Sequence, residues 1–279
     1  MIFKDKTVIL TGGSEGVGAA AARLFAEAGA NLMLVARNRK NLEAIASELR
    51  DKARVAIFPM DVSDADACVD LVKKTLYEFG RIDVLVNNAG FHARGDVESA
   101  TADDLARTID VNLRAPIVLM RLVLPHIRES GSGAIVNVAS LAGRTPVPGS
   151  AAYSASKFGL RAFTFSLAEE IRGSGIKLAV VSPGPIATQF ILADIDTTSD
   201  LTFSQPMSSA EEVAQAILDL CGNNQREQAI PAMSGVLTTV SYLMPWLGRA
   251  LRPALERKGS RVKKKLKAKA RAERQDAGS

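Results

Sequence analysis

At 279 residues and 47% hydrophobic content, the chain is long enough to bury one large α/β core. Cys68 and Cys221 are its only cysteines and join no CxxC or Cys/His cluster, which argues against a disulfide scaffold and against a structural zinc site. The net charge of +5 is uneven: residues 249–279 hold 12 Lys/Arg and 3 Asp/Glu (+9), whereas residues 1–248 hold 23 Lys/Arg and 27 Asp/Glu (−4).

The start, MIFKDKTVILTGG, has neither the apolar core nor the cleavage site of a secretory signal. No run of 18 uncharged apolar residues occurs either, so a cytoplasmic protein is expected. Short runs rich in β-branched residues at Thr7–Leu10, Asn31–Val35, Arg54–Pro59, Val84–Val86, Ile135–Val138 and Lys177–Val181 predict buried parallel strands. Helical patterns at 17–28, 41–50, 65–78, 102–128, 152–172 and 209–220 fill the intervals, with Gly29, Gly80, Gly131 and Gly173 near four helix ends. Gln228–Met233 reads as a final edge strand, and residues 189–208 as a loop or short-helix insertion suited to closing over a substrate. No internal repeat is visible.

The chemistry-bearing residues follow in chain order. Thr11-Gly-Gly-Ser-Glu-Gly-Val-Gly18 stands between the first strand and first helix, where Gly12, Gly16 and Gly18 allow a tight turn, close cofactor approach and close helix packing around a pyrophosphate; an ordinary glycine turn is the alternative. Arg37, after the second strand, offers a bidentate donor to a 2′-phosphate, favouring NADP(H) over NAD(H); a solvated arginine competes with this, and Glu15 would repel the phosphate unless turned away. Asp61 either accepts an adenine amino hydrogen or caps the next helix. In Asn87-Asn-Ala-Gly90 the small residues permit cofactor approach and the amides can hold neighbouring strands, unless the segment is a simple turn. His92 follows directly and can reach the pocket, whereas His126 reads as a packing or surface residue. Asn112, inside an apolar helical pattern, satisfies a backbone group, bends the helix or holds a water linked to Lys157.

Ser140 closes the fifth strand, placed to polarise a substrate carbonyl; no G-x-S-x-G surrounds it, which weighs against esterase chemistry. Tyr153 and Lys157 are four apart on a helix and so share a face, with Ala151, Ala152 and Ala155 leaving room for a flat ring. A nearby ammonium favours the phenolate, and the same phenol can give a proton to a carbonyl that accepts hydride; a surface pair is the alternative.

The tail has two parts. Val236, Val240, Leu243, Met244, Leu247, Leu251 and Leu255 recur at helical intervals, with Pro245 and Pro253 starting or bending the helices. Residues 257–271 are densely basic. Together they suggest reversible attachment to an anionic membrane; a helix packed on the body with a solvated tail competes with this, and no nucleic-acid-binding signature is present. The expected division is a catalytic domain at 1–234, an amphipathic extension at 235–258 and a basic tail at 259–279.

TGGSEGVG, NNAG, Asn112, Ser140, YSASK and PGPIATQF together resemble the classical short-chain dehydrogenase/reductase family over about residues 4–233. The resemblance implies a Rossmann-type three-layer α/β/α domain with a mostly parallel seven-stranded sheet, assembled as a homodimer or homotetramer. It implies a catalytic tetrad of Asn112, Ser140, Tyr153 and Lys157. It places Gly12, Ser14, Gly16, Val17 and Gly18 at the cofactor phosphates and ribose, with Arg37 at the NADP-type position. It also assigns Asp61 and Val62 to adenine, Asn88 and Gly90 to the cofactor-facing loop, and Pro183, Gly184, Ile186 and Thr188 to the nicotinamide side. The function so implied is reversible NADP(H)-dependent reduction of a ketone or aldehyde, with Ser140 orienting oxygen, Tyr153 transferring its proton and Lys157 tuning the phenol and holding ribose hydroxyls. The ARN segment and the apolar-basic tail loosely resemble reductases of lipid ketones, including 3-ketodihydrosphingosine reductases. A non-enzymatic NADP-responsive interaction module is the remaining alternative.

Overall fold

A computed structural model of the chain describes residues 3–187, 195–196 and 198–276. Seven strands, β1 (Thr7–Thr11), β2 (Asn31–Ala36), β3 (Val55–Pro59), β4 (Val84–Asn87), β5 (Gly133–Val138), β6 (Ile176–Pro183) and β7 (Glu227–Ile230), form one sheet in the order β3-β2-β1-β4-β5-β6-β7. Every neighbouring pair is parallel. Side chains alternate between the two faces, as a strand's period of two requires. Val8, Leu10, Leu32 and Leu34 pack on one face with α1 (Gly16–Glu27), α2 (Arg39–Leu49) and α7 (Ala210–Gly222). Ile9, Met33, Val35 and Leu85 pack on the other with α3 (Ala65–Phe79), α5 (Ala115–Glu129) and α6 (Ala151–Glu170). Burial on both faces explains why the strands read as continuous apolar runs, and the result is the expected three-layer domain.

The chain runs outward from β1 to β3 and then returns to the other side of β1 as β4. At that reversal the carboxyl ends of β1 and β4 diverge from their crossovers and leave a crevice, the usual ligand position in open α/β sheets.

Three segments depart from the sequence reading. The pattern at 102–128 is not one helix: α4 (Ala102–Ile109) and α5 are joined by a π-helical turn, Asp110–Arg114, with Asn112 inside it. The edge strand stops at Ile230, and Ala232 and Met233 open α8 (Ala232–Leu243), because Pro231, at the N-cap, sets a helix start rather than a ladder position. α9 then runs from Pro245 to Asp276, so the expected boundary at 258/259 falls inside one helix, which keeps Pro253 in its interior. Gly259 in α9 lies so close to the 195–204 segment that a Cβ there would be 1.7 Å from the Asp200 carbonyl oxygen. Lys263 Nζ donates to the carbonyls of Thr198 (2.7 Å) and Asp196 (3.2 Å), and Lys267 pairs with the Asp196 carboxylate. Part of the basic charge therefore fastens α9 to the body.

Among the described residues no helix is long and apolar enough to cross a membrane.

Candidate active site

A cavity of about 1710 Å³ opens along the carboxyl ends of the strands. An ordinary small-molecule pocket holds about 300–1,000 Å³, so this one has room for a dinucleotide and a second ligand. Its walls include Gly12, Ser14, Gly16 and Val17 from the glycine turn, and Arg37, Asp61 and Val62 from the ends of β2 and β3. Asn88 and Gly90 follow β4, Ser140 follows β5, Tyr153 and Lys157 come from α6, and Pro183, Gly184 and Ile186 from the end of β6. Gly18 and Asn112 are buried behind this surface. Thr188 lies outside the described residues.

The glycine turn is built for contact. Gly12 has φ +66° and Gly16 φ +51°, and a Cβ on Gly18 would come within 1.9 Å of the Gly12 carbonyl oxygen. Asn88 Nδ2 donates to the carbonyls of Thr11 (3.0 Å) and Gly12 (3.2 Å), while Thr11 Oγ1 accepts from the amides of Asn88 and Ala89. The Asn88 amide thus holds the turn in place. Asn38, Asp64, Thr101 and Ser209 cap α2, α3, α4 and α7 with side-chain acceptors, but Glu15 at the N-cap of α1 supplies none. Gly16 and Val17 at that uncapped end line the cavity, and their amides suit the pyrophosphate of a dinucleotide.

At the ends of β2 and β3 the structure settles one choice. Asp64, not Asp61, caps α3. Asp61 Oδ1 accepts from the Ser63 amide (3.0 Å) and hydroxyl (2.7 Å), and Oδ2 accepts from Arg107 at 3.0 Å. Burial pushes the Asp61 carboxyl up, but these hydrogen bonds and the Arg107 and Arg37 charges outweigh it and hold the group below its ordinary value. Arg107 was invisible as a partner because 46 residues separate it from Asp61. Arg37 is exposed and makes no hydrogen bond or ion pair among the described residues, leaving its guanidinium available to a ligand. Glu15, also exposed, shares the cavity wall.

Tyr153 and Lys157 do face the cavity from one side of α6. The Lys157 ammonium stands 5.7 Å from the Tyr153 ring centroid and donates to the Val138 carbonyl at 2.8 Å. It is 4% exposed, and burial lowers it to about 8. For Tyr153 burial is the largest influence and raises the phenol, against the opposing pull of the Ser140 hydroxyl and the Arg94 charge. Lys157 is not among these influences, and their net direction keeps the proton on Tyr153, the form that serves as an acid. Ser140 Oγ accepts from the Ala142 amide at 3.1 Å and donates to the Pro183 carbonyl at 3.4 Å, which ties it to the end of β6. The following turn fits against α6 because Gly143 has no Cβ; one would lie 2.8 Å from the Lys157 carbonyl.

Asn112 acts as a clamp. Its Oδ1 accepts from the Phe91 amide (2.8 Å), and its Nδ2 donates to the Phe91 carbonyl (2.7 Å) and to Ser156 Oγ (3.1 Å), which in turn donates to the Tyr153 carbonyl. The side chain is spent on joining the loop after β4 to α6. His92 lines the cavity, stacked on Tyr153 with ring centroids 4.1 Å apart. His126 lies on α5 beside Glu129, outside the cavity wall.

The C-terminal stripe supplies what the sequence reading placed elsewhere. Leu237 and Val240 of α8 and Leu247, Leu251 and Leu255 of α9 line this same cavity, so a large part of the apolar face is pocket wall. Helical spacing revealed the stripe, but spacing does not say what it faces.

A glycine turn on an uncapped helix and a Tyr–Lys pair across one cavity make the comparisons with known proteins specific. A family model described as short chain dehydrogenase matches residues 6–197. An uncharacterized oxidoreductase of Staphylococcus saprophyticus is 38% identical over 202 residues, 71% of this chain and 82% of that protein. The ketoacyl reductase HetN of a Nostoc species is 32% identical over 255 residues, covering 90% of this chain and 87% of HetN. The crystal structure of a metagenomic short-chain oxidoreductase in complex with NADP superposes with a TM-score of 0.71 at 30% identity, covering 82% of this chain and 97% of that one. Matched by the family model over residues 6–197 and by relatives across the greater part of its length, the chain belongs to the short-chain dehydrogenase family.

Proposed function

We propose that the protein is an NADP(H)-dependent reductase that converts a ketone or aldehyde to an alcohol, reversibly. The observation that carries this is the single cavity joining the Gly12–Gly18 turn and the unpaired Arg37 to Ser140, Tyr153 and Lys157. A bound nicotinamide supplies the hydride. The protein's part is orientation and proton management. Ser140 orients the carbonyl oxygen, and Tyr153, kept protonated by burial, gives that oxygen its proton. Lys157 is placed to hold ribose hydroxyls, while Asn112 positions the loop and helix on which these groups stand. The ketoacyl reductase relative and the NADP complex of the structural neighbour support the same direction and cofactor.

A more specific reading is a lipid-like carbonyl substrate, favoured by Leu237, Val240, Leu247, Leu251 and Leu255 along the cavity. Exposed Val236, Leu243 and Trp246 on the same helices suit peripheral contact with an anionic membrane; liposome co-sedimentation of the full chain against a form ending at 234 tests that contact, and equal binding rejects it. The enzymatic reading is tested by following NADPH oxidation with short ketones, ring ketones and long-chain 3-keto compounds. Turnover with at least one class, lost about 10²–10⁴-fold in Tyr153→Phe with the NADPH dissociation constant unchanged, is the expected result. Tight NADPH binding without turnover on any class would favour the interaction-module reading instead.

A further inference from the structure

His92 presents an anomaly that the reductase mechanism does not use. Both ring nitrogens are buried and neither has a hydrogen-bond partner in the structure. Buried polar atoms are nearly always paired, and each unpaired one costs about 1–3 kcal/mol. The imidazole nonetheless lines the catalytic cavity, with its plane 16° from that of Tyr153.

The backbone on both sides of His92 is pinned. Phe91 exchanges two hydrogen bonds with the Asn112 amide, at 2.8 and 2.7 Å, and the Ala93 amide donates to Thr108 Oγ1 at 3.3 Å. With the backbone so held, the side-chain bonds remain free, and a turn of the ring about them is what would bring a nitrogen to the cavity that it already lines. Stacking on Tyr153 alone would be served by phenylalanine, without two desolvated nitrogens. Burial, with Arg94 and Lys157 adding to it, lowers the imidazole to about 3, which favours the neutral ring. A neutral imidazole offers one donor and one acceptor.

We propose that His92 is a specificity-determining residue that hydrogen-bonds a second oxygen of the substrate, a hydroxyl or carbonyl close to the carbonyl being reduced. This rests on the reductase reading above. Stacked against the proton donor, His92 reads the atoms next to the reacting carbon. The substrate class is accordingly a hydroxyketone, diketone or ketoester rather than an isolated ketone.

The test compares matched pairs, cyclohexanone with cyclohexane-1,2-dione and 2-octanone with octane-2,3-dione, in wild type, His92→Phe and His92→Gln. Diones are intrinsically more electrophilic than simple ketones, so the measured quantity is the change in the dione-to-ketone ratio of kcat/KM between variants. In His92→Phe, which keeps the stack and loses the nitrogens, that ratio is expected to fall about 10–100-fold, any change common to both members of a pair cancelling in it. His92→Gln, which retains a donor and an acceptor, should recover part of the ratio. An unchanged ratio in His92→Phe, or equal losses on both members of each pair, would overturn the proposal while leaving the reductase intact. Absence of NADPH oxidation by wild type with both diones would overturn this proposal, whereas the reductase reading stands or falls on the wider carbonyl panel above.

Discussion

Lys157 belongs to the proposed chemistry and is disfavoured by the fold, and the conflict has a measurable size. Its ammonium is 4% exposed and among the described residues makes one hydrogen bond, at 2.8 Å to the Val138 carbonyl, and burial lowers it from 10.5 to about 8. That difference corresponds to about 3 kcal/mol. Below pH 8 both the folded and unfolded states carry the proton, and the folded state bears the whole penalty. Between about 8 and 10.5 the unfolded chain is the more protonated, so raising the pH stabilises the fold through that window. Lys157→Met keeps the length of the side chain and removes the charge. It also removes the bond to Val138, worth about 1.5–3 kcal/mol for a charged donor, so at pH 7 the variant should be equal in stability to wild type or up to about 2 kcal/mol more stable. Denaturant unfolding followed by circular dichroism at several pH values from 7 to 10 reads the difference between the two proteins. That difference should move in favour of wild type by about 1 kcal/mol per pH unit above 8. Cys68 and Cys221, whose buried thiols are pushed up to about 11 and about 12, act alike in both proteins and cancel. A difference constant from pH 7 to 10 would refute the argument that Lys157 is held at an energetic cost. The variant should have little NADPH oxidation activity in either case.

Three further outcomes follow from named contacts. Gly18→Ala drives a Cβ to 1.9 Å from the Gly12 carbonyl oxygen and should weaken NADPH binding about 10-fold or more while lowering the melting temperature by a few degrees, as cofactor titration and calorimetry would show. Arg37→Ala should raise the NADPH dissociation constant about 10–100-fold and leave NADH within about 3-fold; equal changes for both would remove Arg37 from the 2′-phosphate site. Asp83 is 1% exposed and accepts from Arg81, Lys6 and the Thr7 amide, which outweigh burial and hold its carboxyl below 3.8. Its contribution is fully present above that value and is lost as the pH falls through the folded-state value, so Asp83→Asn should destabilise the protein at pH 7 and flatten its acid unfolding limb.

What was legible in the sequence was local or periodic. Buried parallel strands declare themselves as apolar runs, so six strands and the helices between them were placed within a few residues, and the glycine turn was recognisable because it sits between a strand and a helix. Tyr153 and Lys157 were legible as a pair because helical spacing alone puts them on one face. The π-helical turn at Asn112 had no local signature, nor did the bond from its amide to Ser156, 44 residues on. Arg107 on Asp61 and Gly259 on Asp200 are likewise long-range contacts with no local signature. The ionisation of Tyr153 turns on burial, which raises the half-buried phenol and which no local sequence pattern displays.

The C-terminal helices matter to the site beyond lining it, because they are tied to the turn that carries Ser140. Arg144, directly after that turn, donates to Thr239 Oγ1 of α8 at 2.8 Å and pairs with Glu227 of β7 at 2.5 Å. Arg161 of α6, one helical turn beyond Lys157, grips the same carboxylate with two hydrogen bonds of 2.9 and 2.8 Å. Burial pushes Glu227 up, but the bonds from Arg161 and Arg144 outweigh it and keep the carboxylate charged. One buried anion therefore connects the helix of Tyr153 and Lys157, the turn after Ser140 and the start of the substrate wall. Because a buried charge is costly to leave unpaired, these elements are constrained to keep their relative positions. The register between Leu237 or Val240 on the wall and the Tyr153 phenol is then set by the fold before any substrate enters. Any substrate seated in the cavity meets that fixed spacing, so α8 helps to set the shape of the site although it carries none of the proposed catalytic residues.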